Sequence, residues 1–261
     1  MTQRTHTMAH IIDLNADVGE DPTPEGIARD AAMAEHLTSL NIACGGHAGD
    51  AESMTRLVHL ARERGINIGA HPSYPDRANF GRTEMPMSAA AIEETVEAQV
   101  RGLADIARAA GASITHIKPH GALYHAARKC DIAEAIARAC ARVATDMILV
   151  GQYGSPALNI WRSMGVPTAA EAFADRTYEA GGTLRARTKS GAVIEDSACV
   201  LAQSLLIARD HVVIAADGTR LPLHAATLCL HSDTPGAAEL ARAIRFGLEA
   251  QGVRIQPMTR P

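Results

Sequence analysis

Four short segments of this chain share one pattern, an apolar run that ends abruptly in aspartate, asparagine, histidine or lysine. They are His10–Asp17, Leu40–His47, Ile66–His71 and Ile114–His120, and predicted helices separate them. Strands that alternate with helices predict a parallel sheet, and the sites of parallel α/β folds lie at the carboxyl ends of the strands. The polar residues at these ends therefore indicate where an active site would form.

Three further apolar runs extend the pattern to seven strands: Met147–Val150, Pro167–Ala172 and Ala226–Leu230. In an open sheet, polar residues would concentrate at the one point where the strand order reverses. Here they follow most of the strands, so a barrel fits better. We predict an α/β fold, an incomplete, seven-stranded, TIM-like β/α barrel that forms a single domain over residues 1–261. Residues 1–9 are predicted to be disordered. Residues 176–222 interrupt the alternation of strands and helices and are predicted to form an irregular insertion.

Capping residues predict where several helices begin and end. The helices should follow Asp50, Ser88, Ser155-Pro156 and Thr234-Pro235, and should stop before Gly65, Gly111, Gly165 and Gly252. Asp131 with Glu134 predicts a further capping pair. Within the insertion, we expect a hairpin of residues 183–188 and 211–215 around a helix near Asp196–Ala208.

Composition excludes several classes of function. The net charge is −4 without a basic run, and aromatic residues make up 3% of the chain, so no nucleic-acid partner is expected. The sequence contains no run of about 18 apolar residues, so no membrane span is expected. Residues 1–10 lack the apolar region of a signal peptide. The five scattered cysteines fit reduced thiols, and these observations together predict a cytoplasmic protein.

The first segment places polar side chains at alternate positions. Asp13, Asn15 and Asp17 share one face of an extended strand, and the residues between them take the other face. Lys118 and His120 follow the same spacing. A lone histidine is more often a hydrogen-bonded structural residue than a ligand. Histidines at four predicted strand ends instead indicate a shared site, and they are His47, His71, His120 and His231.

Longer motifs then carry a resemblance. They are Asp13–Glu20, Asn41–Asp50, Gly69–Asp76, Phe80–Arg82, Lys118–Tyr124, Glu171–Arg176, Gly191–Ile194 and Asp233–Ala237. In this order they resemble the LamB/YcsF family of 5-oxoprolinase A subunits. The resemblance implies a barrel similar to the glycoside hydrolase and polysaccharide deacetylase superfamily. It also implies ATP-dependent opening of 5-oxo-L-proline to L-glutamate, with release of ADP and phosphate, carried out with two partner subunits.

Opening a lactam with ATP needs a base that activates water, a cation near the anionic oxygen and an anchor for the substrate carboxylate. The predicted catalytic residues are Asp17, His47, His71, Lys118 and His120. The predicted substrate-binding residues are Asn15, Asn41, Arg82, Asp175 and Arg176. No GxxxxGK[ST] phosphate loop occurs, so ATP is expected to bind with, or on, the partner subunits.

Two other functions remain open at this stage. The first is a divalent-metal-dependent amide hydrolase or deacetylase, with Asp17, His47 and His71 as metal ligands. The second is a non-catalytic subunit that only binds substrate, although a scaffold has no need of so many polar strand ends.

Overall fold

A computed structural model describes residues 10–232 and 236–259 of the chain. The predictions for residues 1–9, for Asp233 and for the Thr234-Pro235 cap lie outside the described residues. Strands and helices alternate along the chain: β1 (Ile11–Val18), α1 (Pro24–Ala34), β2 (Ser39–Ala43), α2 (Ala51–Arg64), β3 (Asn67–His71), α3 (Ala89–Ala109), β4 (Ile114–Ile117), α4 (Gly121–Ala126), α5 (Cys130–Val143), β5 (Ile148–Gln152), α6 (Pro156–Ser163), β6 (Thr168–Phe173), α7 (Ser197–Asp210), β7 (Val212–Ile214), β8 (Arg220–Pro222), β9 (Thr227–Leu230), α8 (Ala237–Ala250) and β10 (Arg254–Ile255).

Seven parallel strands form the barrel. They are hydrogen-bonded in the order β1-β2-β3-β4-β5-β6-β9, and a pairing between β9 and β1 closes the ring. The seven-stranded β/α barrel predicted from the sequence is therefore confirmed. It is incomplete only in having one strand fewer than the eight of a TIM barrel.

The two faces of β1 divide as the alternation predicts. The outward residues, such as Leu14, are fully buried and belong to the main hydrophobic core under the helices. The inward residues bond across the barrel, as when Asn15 Nδ2 donates to Glu171 Oε1 at 3.2 Å. The helices thus hold the barrel from outside, and its interior is left for polar groups.

Most of the predicted helix starts are confirmed. Asp50 caps α2 by accepting from the Ser53 N–H at 2.8 Å, and Gly65 ends the helix with a left-handed φ of 65°. Ser88 and Ser155 cap their helices in the same way. The Asp131 cap is wrong, because α5 already begins at Cys130. Asp131 instead lies in the first turn, where its charge favours the positive end of the helix dipole.

The pairing predicted within the insertion is also wrong. Strand β7 pairs with β8 across a tight turn, and residues 183–188 take no part in that ladder. The turn contains Asp217-Gly218, with a φ of 88° at Gly218, and Asp-Gly is a strong hairpin signal. The helix between these segments is confirmed, since Asp196 caps α7.

A segment near residue 256 closes the amino-terminal end of the barrel. Strand β10 pairs with the start of β1, and Asn67 Nδ2 donates to the Met258 carbonyl at 2.9 Å. Met258 packs against three apolar residues of β5 and β6: Ile148, Val150 and Ala169. The polar carboxyl ends of the strands lie at the opposite end of the barrel. Among the described helices, none is both long and apolar enough to cross a membrane.

Candidate active site

The deepest polar layer of the barrel surrounds Asp13. Its carboxylate accepts hydrogen bonds from the hydroxyls of Thr38, Ser39 and Thr227. Burial raises the pKa of Asp13, and these hydrogen bonds offset part of that effect. With its oxygens occupied at the closed end of the barrel, Asp13 stabilises the fold rather than facing a ligand.

Above this layer lie two asparagines that the sequence predicts to bind substrate. Asn41 Nδ2 donates to Asn15 Oδ1 at 2.7 Å and to Asp17 Oδ1 at 2.8 Å. His116 Nε2 lies 2.9 Å from Asn41 Oδ1, and burial lowers the pKa of this histidine to about 3, so the neutral ring donates to the amide. Asn15 and Asn41 therefore orient the charged residues above them, and both are buried.

The ring of His116 fits only because its neighbour on β3 is glycine. A Cβ atom at Gly69 would lie 2.0 Å from His116 Nε2, far inside any real contact distance. Glycine at position 69 therefore leaves the space that the His116 ring occupies inside the barrel.

Lys118 follows β4 and carries a buried positive charge at the centre of the site. Its Nζ lies 2.9 Å from Asp17 Oδ1, 2.9 Å from Glu171 Oε1 and 3.1 Å from Cys229 Sγ. Burial alone would lower the pKa of Lys118, but Asp17 and the neighbouring acidic groups raise it well above its ordinary value. Lys118 is therefore a fixed cation, held by two carboxylates.

Asp17 connects this cation to the histidines. Its second oxygen, Oδ2, lies 3.2 Å from His71 Nε2. Burial would raise the pKa of Asp17, but its contacts with His71 and Lys118 lower it well below its ordinary range. Asp17 is therefore a carboxylate at neutral pH.

Three histidines and one glutamate form the upper layer, which we call the histidine cluster: Glu20, His47, His71 and His120. His120 Nδ1 lies 3.0 Å from His71 Nε2 and 3.4 Å from Glu20 Oε1, and His47 Nε2 lies 3.0 Å from the same oxygen. The rings of His47 and His120 stack with their centroids 3.7 Å apart. The ligand atoms of these four residues all lie within 4.8 Å of one another.

Burial lowers the pKa of His47 to about 2 and that of His120 to about 3. Both imidazoles are thus neutral near pH 7. A neutral imidazole can act as a base or bind a metal ion, whereas an imidazolium can do neither.

The remaining predicted residues lie around the mouth of the barrel. Arg82 is exposed, and its guanidinium carbon lies 4.9 Å from the ring centroid of Phe80, which itself contacts His47 and His120. Arg176 is buried, and its Nε and Nη2 donate to the carbonyls of Ala192 and Arg185. Arg82 therefore stands at the rim, while Arg176 holds the insertion.

Asp175 pairs with a histidine at the carboxyl end of β9. It accepts from the backbone N–H and from Nδ1 of His231, at 3.1 and 2.9 Å. Burial would raise the pKa of Asp175, but His231 lowers it below its ordinary value. Asp175 thus orients His231 at the rim rather than presenting a free carboxylate.

Comparisons with known proteins agree with this architecture. Residues 12–261 match the model of the LamB/YcsF family. The chain belongs to this family. The A subunit of 5-oxoprolinase from Chloroflexus aggregans is 52% identical over 94% of this chain and 98% of its own, and that from Methylococcus capsulatus is 46% identical over 95% and 96%.

Solved structures share the same fold. A lactam utilization protein from Thermus thermophilus superposes with a TM-score of 0.88 at 35% identity, over 95% of this chain and 99% of that one. The Xyl-CE4 domain of a xylanase from the hindgut metagenome of Trinervitermes trinervoides reaches 0.54 at 13% identity, over 96% and 88%. The second likeness extends the barrel fold, and only the fold, beyond the LamB/YcsF family.

Sequence reasoning assigned no role to two acidic residues of this LamB/YcsF chain. Glu20 follows Gly19, whose φ of 76° turns the backbone after β1, so the alternation that marked Asp17 no longer applies to it. Glu171 is fully buried and is the one acidic residue within β6, and it accepts from Tyr124 Oη at 2.7 Å. A lone acid inside an apolar strand was the available signal for Glu171.

The structure also shows which described residues could hold a metal ion together. One oxygen of Asp17 is occupied by Lys118 and Asn41, and the group that could hold a metal comprises Glu20, His47, His71 and His120. This group shares His47 and His71 with the predicted ligands and adds Glu20 and His120, whereas the assignment of Asp17 as a ligand stays a prediction.

Proposed function

We propose that this chain, as a single barrel domain, is the A subunit of an ATP-dependent 5-oxoprolinase. It would open 5-oxo-L-proline to L-glutamate as ATP is hydrolysed to ADP and phosphate. The observation that carries the proposal is the 52% identity to a 5-oxoprolinase A subunit over nearly the whole of both chains. The buried charges below the histidine cluster supply chemistry that suits this reaction.

The lactam carbonyl is stabilised by resonance, and its nitrogen is a poor leaving group. Transfer of the γ-phosphoryl group of ATP to the carbonyl oxygen would give an imidate phosphate that water can attack. Lys118 is held as a cation by Asp17 and Glu171. A preorganised cation of this kind stabilises the negative charge that develops on oxygen.

The attacking water needs a base. Asp17 is ionised, and its Oδ2 contacts His71 at the open end of the barrel. His47 and His120 are neutral and lie beside it. We assign proton removal to this group, with Asp17 and His71 as the pair that accepts the proton. Water would add to the imidate carbon, and the tetrahedral adduct would break its ring C–N bond, which leaves the free amine and an acyl phosphate at the former carbonyl. A second water would hydrolyse this acyl phosphate to L-glutamate and phosphate.

The substrate carboxylate needs an anchor at the rim. Arg82 is exposed beside Phe80, so its guanidinium can form a bidentate pair with a carboxylate. Arg176 already donates to two backbone carbonyls, and Asp175 already holds His231. We therefore assign substrate binding to Arg82, and an orienting role to Asp175 and Arg176.

ATP and the partners complete the proposal. The chain has no phosphate loop of the familiar type, and phosphoryl transfer depends largely on positioning. ATP is accordingly assigned to a site formed with or by two partner subunits that dock at the open end of the barrel. All five cysteines are free, which suits a reducing compartment, and we place the complex in the cytoplasm.

The histidine cluster favours a second candidate, a metal-dependent amide hydrolase that needs no ATP. Both candidates are tested by mixing the purified chain with its two candidate partner subunits and 5-oxoproline. We expect release of glutamate and phosphate in equal amounts only when the three chains and ATP are all present.

A matched pair of variants assigns the chemistry to this chain. Lys118→Met should abolish glutamate release by the complex, whereas Lys189→Met, at an exposed lysine, should leave it unchanged. Release by the chain alone without ATP would favour the hydrolase. Full activity of the Lys118→Met complex would show that the chain only binds substrate.

A further inference from the structure

The hydrogen bonds of two buried rings fix where their protons are. His71 Nδ1 lies 2.6 Å from the carbonyl oxygen of Lys118, and His120 Nε2 lies 3.0 Å from that of Phe80. A carbonyl oxygen only accepts, so both of these nitrogens carry hydrogen. In neutral rings, the other nitrogens, His71 Nε2 and His120 Nδ1, then present lone pairs.

These two lone pairs face each other. His71 Nε2 and His120 Nδ1 are 3.0 Å apart, so two neutral rings would place two acceptors in contact without a donor. Two carboxylate oxygens converge on the same place. Glu20 Oε1 lies 3.4 Å from His120 Nδ1, and Asp17 Oδ2 lies 3.2 Å from His71 Nε2. Acceptors alone repel one another, so this arrangement needs either a proton on His71 Nε2 or a metal ion between the four atoms.

The spacing of the acceptors suits a metal ion. Ligands about 2.0–2.2 Å from a tetrahedral zinc ion lie about 3.3–3.6 Å from one another. Glu20 Oε1 is 3.0, 3.4 and 4.0 Å from the ring nitrogens of His47, His120 and His71. The carbonyls that accept from His71 and His120 also orient these rings, as outer hydrogen bonds do in metal sites.

We propose that Glu20, His47, His71 and His120 bind one divalent transition-metal ion at the open end of the barrel. Three imidazoles with one carboxylate favour zinc, cobalt, nickel or iron over magnesium and calcium, which prefer oxygen ligands. Bound there, such an ion would supply an acidified water beside Asp17. Metal binding depends on the geometry of the histidine cluster and not on the proposed lactam chemistry, so the two can fail separately.

Metal binding by the full chain tests the proposal. The chain is stripped with a chelator and titrated with Zn²⁺ and with Co²⁺, and bound metal is measured by mass spectrometry. We expect one ion per chain, a rise in melting temperature with added Zn²⁺, and visible absorption bands from Co²⁺ in a site of low symmetry. Failure of the chain to retain any ion at equimolar stoichiometry would overturn the proposal.

Matched variants locate the ion. Glu20→Gln and His120→Gln should each weaken Zn²⁺ binding by at least about tenfold. His59→Gln, at an exposed histidine of α2, should leave it unchanged. Unaltered binding by both cluster variants would place the metal elsewhere and refute the assignment.

A measurement without variants covers the case in which the altered chains do not fold. In nitrogen-15 spectra of the histidine rings, Zn²⁺ should shift His71 Nε2 and His120 Nδ1 while their partner nitrogens stay protonated. Spectra that show His71 doubly protonated, and unchanged by Zn²⁺, would mean that a proton rather than a metal ion lies between the two rings.

Discussion

Lys118 Nζ lies 2.9 Å from Asp17 Oδ1, and both side chains are buried at the carboxyl end of the barrel. Glu171 lies at the same distance on the other side of the ammonium group. The two carboxylates hold one cation, so the three groups together carry a net negative charge.

Replacing Asp17 with asparagine tests the link between this ion pair and activity. Asp17→Asn keeps the shape but removes a charge that Lys118 and His71 stabilise, so the reconstituted complex should lose at least about 100-fold in glutamate release. The free energy of unfolding should fall by about 1–3 kcal/mol. This is less than the cost of leaving a buried charge with no partner, because Glu171 still pairs with Lys118. Urea unfolding and the coupled assay measure the two effects. The same substitution at exposed Asp105 should change neither, and an active Asp17→Asn complex would show that the carboxylate is structural.

The contact between Gly69 and His116 predicts the effect of adding one methyl group. In Gly69→Ala the new Cβ would overlap the imidazole, so the ring or the strand must shift. We expect a loss of about 1–3 kcal/mol or more in the free energy of unfolding. Gly102→Ala is the matched control, since nothing lies near its Cβ in the middle of α3 and it should stabilise the chain by about 0.5–1 kcal/mol. Equal melting temperatures for the two variants would contradict the prediction.

The outward face of β1 gives a test of core packing. Leu14→Ala removes a fully buried side chain between the barrel and its helices and should cost about 2–5 kcal/mol. Ile11→Ala, on the same strand but 48% exposed, should cost far less. Chemical denaturation of the two variants measures the difference. A small loss of stability in Leu14→Ala would mean that neighbouring side chains move to fill the cavity.

Asp30 predicts how stability depends on pH. Burial raises its pKa from 3.8 to about 6, although the Gly19 N–H donates to it at 2.8 Å. The native chain therefore keeps this proton at pH values where the unfolded chain has lost it. The contribution of Asp30 to stability falls as the pH rises from about 4 to 6, by on the order of 2 kcal/mol.

Asp30→Asn removes this titration and keeps an acceptor for Gly19. The variant should match the wild type near pH 4 and exceed it in stability at pH 7, as measured by urea unfolding at each pH. An exposed control, Asp105→Asn, should show no such trend. A difference that does not change with pH would rule out Asp30 as its source.

The barrel could be predicted from the sequence because strand alternation and helix caps depend only on residues that are close together in the chain. Alternation in β1, the caps at Asp50 and Ser88 and the left-handed Gly65 each depend on neighbouring residues, and each is confirmed. The pairing within the insertion was missed since two candidate partners for β7 were available, and the Asp217-Gly218 turn was not given its weight.

Only those site residues that lie at the ends of strands could be predicted from the sequence. Five side chains from the ends of four strands were expected together. The structure places Asp17, His71, Lys118 and His120 in a chain of direct contacts, with His47 beside them. Glu20 could not be found in this way, because it enters the cluster through the turn at Gly19. An arginine in a motif also gives no indication that its guanidinium will donate to backbone carbonyls, as that of Arg176 does.

The segment that closes the amino-terminal end of the barrel has a consequence for synthesis on the ribosome. Residues 254–258 pair with β1 and cover the base of β3 and β5, so β1 needs a partner that is made only after all seven strands of the barrel. The ring of strands likewise closes only when β9 reaches β1. A nascent chain that already contains α5 can pack its helices locally, yet it has neither a sealed base nor a closed ring. Such a chain should depend on protection by chaperones until residues 254–258 have been made, and a stall after residue 226 should leave it sensitive to proteases.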